Sequence, residues 1–161
     1  MPSVSYKGGP VGVVQVVDPK TLVFPNYDGN GMFMSMGNAT ETGHIGMLFM
    51  DFERPMRIRV QGDATVHHAS PHMARFPGAN LVVEVAVKEC FFNCGRYIHK
   101  HKRIETSRYV PDASGAQPLP SWKRLDSVQH AITEEDRQKV ASEGGVISQD
   151  EYMAKVASGD S

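Results

Sequence analysis

A chain of 161 residues is long enough for one domain with a real core and too short for two comfortable ones. Its 17 Lys and Arg against 18 Asp and Glu leave the net charge near zero, so bulk electrostatics supports neither nucleic-acid binding nor attachment to a membrane surface. No apolar run approaches the ~20 residues of a spanning helix, and Met1 to Lys7 lacks the apolar core of a signal peptide. The two cysteines, Cys90 and Cys94, do not point to an oxidising compartment, so the expectation is a cytoplasmic protein.

Val11 to Val17 is a β-branched run, Asp18-Pro19-Lys20 is turn chemistry, and Thr21 to Phe24 is a second apolar run. Together they predict a β-hairpin. Asn30 stands where it can cap a helix carrying Met32, Phe33, Met36 and Ala39 along one face, with Thr42-Gly43 ending it. His44 to Phe52 reads as another apolar strand and Arg54-Pro55 as a turn. Met56 to His67 alternates with period two, Ile58 and Val60 facing one way and Arg57, Arg59 and Gln61 the other. Ser70 to Phe76 is a short helix or an ordered loop, closed by Pro77-Gly78. Leu81 to Phe92 is the last clear strand, with Val83, Val85 and Val87 on one side and Glu84 and Lys88 on the other. Strands at this spacing favour a closed or partly closed barrel.

Composition changes at Pro111 to Pro120, a stretch rich in Pro, Ala, Ser and Gly that reads as a linker or irregular surface segment. Two capped helices follow. Thr133-Glu134-Glu135-Asp136 starts the first and Gly144-Gly145 stops it. Ser148-Gln149-Asp150-Glu151 is a capping box for the second, which ends near Gly159.

A glycine-rich turn that opens a helix presents unpaired backbone N–H groups to an anion. Gly29-Asn30-Gly31 is therefore a phosphate cradle or simply a tight turn. It is neither a Walker motif nor a dinucleotide fingerprint, since no Gly-Lys-Ser/Thr and no βαβ context accompany it. Arg57 and Arg59 are solvated, or they hold a phosphate or a flavin pyrimidine ring. Lys7, before Gly8-Gly9-Pro10, is a second cation beside flexible backbone or an exposed terminal lysine. His67, His68, His72, His99 and His101 have no cysteine or carboxylate at a recognisable ligand spacing, so no metal site is expected. Cys90-Phe91-Phe92-Asn93-Cys94 is a CxxxC, read as structural cysteines at the end of a buried strand. His99 to Arg103 is a basic run, a solvated face or a patch that meets a phosphate or an acidic partner. No nucleophile elbow and no hydrolytic carboxylate pair is present.

In their order these parts resemble the pyridoxamine 5′-phosphate oxidase-like FMN-binding split barrel. The resemblance is carried by the hairpin into Phe24-Pro25-Asn26, the Gly-Asn-Gly helix start, Gly46 to Phe49 and Arg57 to Gly62. It continues through Cys90 to Ile98, similar to the terminal strand region of uncharacterised members, and spans residues 3 to 104. It implies FMN in a groove between two barrels of a homodimer. Ser3 to Lys7, with Ser5, Tyr6 and Lys7 as contacts, match an early strand that touches the flavin and its phosphate. Phe24 and Pro25 match the strand end beside the isoalloxazine ring, Asn30 and Gly31 the phosphate turn, and Arg57 the polar residue near the flavin. Arg59 is a second donor of that kind, and Arg96 is a loose match to a residue contributed across the dimer. Three departures stand out. The phosphate turn lacks the family's Arg-Lys pair, so Lys7, Arg57, Arg59 and backbone amides would have to meet the charge. The Arg-Leu-His-Asp-Arg substrate motif of the vitamin-B6 oxidases is absent. The helix and first strand that normally precede Ser3 to Lys7 are missing, by truncation or because the barrel leans on its partner for closure.

The expected fold is mainly β: a six-stranded-type, antiparallel, Greek-key split barrel, short at its N-terminus, over residues 1–110. A linker and two short helices would occupy residues 111–161. The expected function is FMN-dependent oxidoreductase chemistry on an unidentified small molecule, other than pyridoxamine-phosphate oxidation, in a homodimer that binds neither nucleic acid nor membrane. The alternatives are a deazaflavin-coenzyme-dependent reductase, a non-catalytic flavin or haem binder, and an interaction module that has lost its cofactor.

Overall fold

The computed structural model describes residues 1–159, and the chain divides into two compact units, Met1–Ala116 and a second beginning at Gln117. Among the described residues no helix is long and apolar enough to cross a membrane.

The first unit is a single antiparallel sheet. Its strands are β1 (Gln15–Asp18), β2 (Thr21–Tyr27), β3 (His44–Asp51), β4 (Met56–His67) and β5 (Ala79–Asn93), with helix α1 (Met34–Thr42) between β2 and β3. The spatial order is β1-β2-β5-β4-β3. The meander β3-β4-β5 thus returns its last strand to lie beside β2, which is Greek-key connectivity. β2 covers only the first half of β5, from Ala79 to Ala86, whereas β3 covers the first two-thirds of β4, from Met56 to Asp63. A register shift between Gln61 and Gly62 interrupts the β4–β5 ladder; bulges of this kind bend a sheet and increase its twist.

The curvature gives the unit one concave face. Phe24 from β2, Met36 and Ala39 from α1, Ala64 from β4, and Leu81, Val83 and Val85 from β5 form one buried cluster, and Ile45 and Met47 of β3 pack against it. β2 and β3 are separated by two strands, so the sheet must curl for both to reach one core. The opposite face of β2 and β5 is sealed by Val23, Val82 and Phe76, the last beside a 3₁₀ turn at Pro71–Arg75 that Ser70 caps.

Four local readings need correction. Residues 11–14 are not strand: Pro10 to Val13 make a turn, with Val13 N–H on Pro10 O at 3.0 Å and Gly12 at φ +82°, so the first strand begins only at Gln15. Asn30 does not cap α1. Its side chain accepts from Met32 N–H at 3.1 Å, and the helix starts after Phe33 with no capping side chain. Residues 3–7 form no strand but an irregular segment tied to α1. Cys90 and Cys94 are exposed rather than structural, because β5 has outrun its cover by β2 when it reaches them.

The second unit holds two 3₁₀ turns, Ser121–Arg124 and Asp126–Val128, which the sequence reading missed, then α2 (Glu134–Ser142) and α3 (Gln149–Ser158). Thr133 caps α2, and Ser148 with Glu151 forms the expected capping box on α3, which Gly159 closes at φ +76°. Leu125, Ile132, Val140 and Ile147 are its buried apolar residues. In the same unit Lys123 Nζ meets Asp136 Oδ1 at 2.8 Å, both side chains largely buried.

Candidate functional site

A cleft of about 790 Å³ runs along the start of α1 in the first unit. Residues 2–8 form one wall, residues 25–36 the floor and the other wall, and Ser107, Tyr109 and Val110 close one side. Its volume is in the ~300–1,000 Å³ range of small-molecule and cofactor sites.

The N-terminal wall is held at both ends. Asn38 Nδ2 donates to Met1 O at 2.8 Å and to Ser3 Oγ at 2.9 Å, and Ser3 Oγ lies 3.1 Å from Ser35 Oγ. Four residues later Lys7 Nζ donates to Asn26 Oδ1 at 2.8 Å. Asn26 is 7% exposed at the end of β2, and its amide donates in turn to Tyr27 O and, at 3.0 Å, to Asn80 Oδ1. Burial lowers the Lys7 ammonium below the ordinary lysine value. An anion arriving beside it would therefore relieve a desolvation cost as well as meet a charge. Burial also pushes the Tyr27 phenol up.

The opposite wall is the turn into α1. Asp28 Oδ1 accepts from Gly29 N–H at 3.0 Å, and Gly31 takes φ +69°. Phe33 follows at φ +46°, the one non-glycine with positive φ among the described residues. Because α1 has no capping side chain and no acidic residue in its first turn, its leading N–H groups and positive dipole end are unopposed by the helix's own side chains, and its first residues, Met34, Ser35 and Met36, line the cleft. Asp28 is the sole carboxylate among the lining residues.

Of the residues singled out from sequence, Ser5, Tyr6, Lys7, Pro25, Asn30 and Gly31 line this cleft together. Phe24, one residue away, turns into the apolar core. Arg57, Arg59 and Arg96 do not line it. Arg57 and Arg59 lie on the first half of β4, opposite Met50 and Leu48 of β3, and Arg96 lies in the turn after β5. Arg59 is exposed as expected, whereas Arg57 is half-buried with its Nε shielded and without a hydrogen-bond partner. Around them Leu48, Met50 and Phe91 are exposed on the same face of the sheet. Asn26, Tyr27, Ser35 and Tyr109 line the cleft and were not singled out. Asn26 carried a signal, a polar side chain ending an apolar strand; Tyr109, in an irregular segment far along the chain, carried none.

The residues present fit a phosphorylated flavin. Lys7, the uncapped start of α1 and the Ser3 and Ser35 hydroxyls supply a cation and donors for the phosphate. Tyr6, Tyr27, Phe33 and Tyr109 supply flat apolar surface for a ring system.

Two searches, against family profiles and against curated proteins, gave no match to the chain. Among solved structures it is similar to HupZ of Group A Streptococcus at 20% identity, over 50% of this chain and 68% of that one, with a TM-score of 0.41. A point variant of the same protein aligns at 21% identity over 50% and 73% of the two chains, TM-score 0.42. A candidate pyridoxamine 5′-phosphate oxidase from Lactobacillus delbrueckii aligns at 22% identity over 50% and 68%, TM-score 0.41.

Proposed function

We propose that the cleft along α1 binds FMN and that the protein is an FMN-dependent oxidoreductase acting on a small molecule as a homodimer. The observation that carries this reading is the convergence on one cleft of Lys7 and an uncapped helix start. Lys7 is a half-buried cation held at 2.8 Å by Asn26, and no first-turn acid opposes the helix dipole. Lys7, with the N–H groups of Ser35 and Met36, would hold the phosphate, and Asn26 would fix the direction of the ammonium. Asn30 and Gly31 shape the turn that brings those N–H groups to the ligand; the Asn30 side chain itself is committed to Met32 N–H. Tyr6 and Pro25 would lie against the ring, with Ser5 between Tyr6 and the anchored Ser3.

The flavin, when bound, supplies the capacity to accept or deliver a hydride or single electrons, while the protein supplies orientation and electrostatics. Arg57, Arg59 and Arg96 enter this reading as groups contributed by the second copy of the homodimer. Arg57, with its shielded and unpaired Nε, is the strongest candidate donor to a reduced, anionic ring. Phe24 acts at one remove, its ring anchoring the strand end that carries Pro25.

FMN titrated into the purified protein, followed by flavin fluorescence, tests the reading. Saturable quenching with one flavin per chain is expected. A colourless protein that leaves FMN fluorescence unchanged would overturn it.

A further inference from the structure

A second cavity, of about 380 Å³, lies beside the cleft and shares two walls with it, Phe33 and Met36. Val66 and Leu81 complete its apolar lining, and its polar residues are Thr40, His68 and Asn80. Three observations indicate an occupant. The lining holds no carboxylate, and Thr40 is already committed to Met36 O at 2.9 Å. Asn80 accepts from Asn26 through Oδ1, and its exposed amide N–H pair, like the exposed His68 ring, has no protein partner among the described residues. The Asn80 amide is oriented by a chain of hydrogen bonds that starts at Lys7 in the larger cleft and passes through Asn26.

The third observation is the backbone of Phe33, a residue that lines both cavities. Phe33 sits at φ +46°, ψ +17°, a region that disfavours side chains other than glycine, while its carbonyl is pinned by Gly37 N–H at 2.8 Å. Gly31, two residues earlier, meets its own positive φ without strain. A phenylalanine stands where glycine would be unstrained, and it lines both cavities.

We propose that this second cavity binds a small, mostly apolar carbonyl compound, its oxygen accepting from the Asn80 amide and its body packed on Phe33, Met36, Val66 and Leu81. Phe33 is a positioning residue that sets the compound against the larger cleft. The compound's role as substrate rests on the flavin reading; its binding here does not.

The test uses acetophenone as probe and ethylbenzene, which lacks the carbonyl, as control. Each is titrated into the methyl-labelled full chain, without FMN and again after FMN is added. Acetophenone should move the Met36, Val66 and Leu81 methyl resonances saturably, with a dissociation constant of about 1 mM for so small a ligand. Ethylbenzene should bind several-fold more weakly. Asn80→Ala should remove that difference by weakening acetophenone up to about tenfold, the worth of one neutral hydrogen bond. Phe33→Gly should weaken acetophenone without lowering the thermal midpoint, since glycine is unstrained there; a merely structural Phe33 would show the opposite. Equal binding of the two probes, resonance changes elsewhere in the protein, or an Asn80→Ala variant of unchanged affinity would overturn the proposal. Acetophenone binding in a protein that takes up no FMN would uphold the cavity and remove the flavin reading alone.

Discussion

Lys7 joins the two walls of the cleft, and its protonation state sets what they can hold. Burial depresses its pKa, so the unfolded chain binds more protons than the folded one between the depressed value and the ordinary lysine value. In the absence of ligand, stability therefore rises with pH through that window. Phosphate binding has the opposite sign, because it needs the ammonium. FMN affinity should fall as the solution is made alkaline, beginning below the ordinary lysine pKa, and Lys7→Met should abolish that fall. The same substitution should weaken FMN by about 1.5–3 kcal/mol at neutral pH, the worth of a hydrogen bond to a charged group. Fluorescence titrations at a series of pH values on both proteins measure the two effects together.

The elements show where local pattern was sufficient and where it was not. Period-two alternation from Met56 to His67 reproduces β4 at both ends, and Thr133 and Ser148 mark their helices because caps act within a few residues. The start of α1 was misread because Asn30 has two local options, capping a helix or closing a turn with Met32, and the left-handed Phe33 downstream leaves only the second. Alternation likewise placed Arg59 on the outer face. It is silent on how far along the curved sheet that face lies from the cleft, so it could not show that Lys7 lines the cleft while Arg57 and Arg59 do not. Curvature depends on Gly62, whose Cβ would fall 2.4 Å from Ala86 O at the irregularity in the β4–β5 ladder. Gly62→Ala should destabilise the first unit by about 1–3 kcal/mol through overpacking. Gly46→Ala in β3, where a Cβ meets open space, should change stability by no more than about 0.5 kcal/mol. Urea denaturation followed by far-ultraviolet circular dichroism compares the pair.

At the scale of the whole molecule the two units bury different groups, an apolar cluster in the curled sheet and, in the C-terminal unit, a few apolar residues together with an ion pair. Burial on its own would push Asp136 up, but the hydrogen bonds from Lys123 and Thr133 outweigh it and hold the carboxyl below its usual value. Its contribution is therefore present above the ordinary aspartate pKa and lost as pH falls through the depressed one. Asp136→Ala leaves Lys123 buried and unneutralised by that partner, and should cost about 3–5 kcal/mol at neutral pH and progressively less in acid. Trp122, the single tryptophan and the immediate neighbour of Lys123, reports unfolding of this unit by fluorescence.

In the reading we propose for the first unit, one cleft lined by residues 2–8 and 25–36 takes the phosphate of a flavin. The most direct measurement is a parallel titration of FMN and of riboflavin, which lacks the phosphate, into the wild-type protein and the Lys7→Met variant. The account predicts that wild type binds FMN well ahead of riboflavin and that Lys7→Met brings FMN down toward riboflavin while leaving riboflavin unchanged. Equal affinity of the wild type for the two flavins, or an FMN affinity indifferent to Lys7, would contradict it.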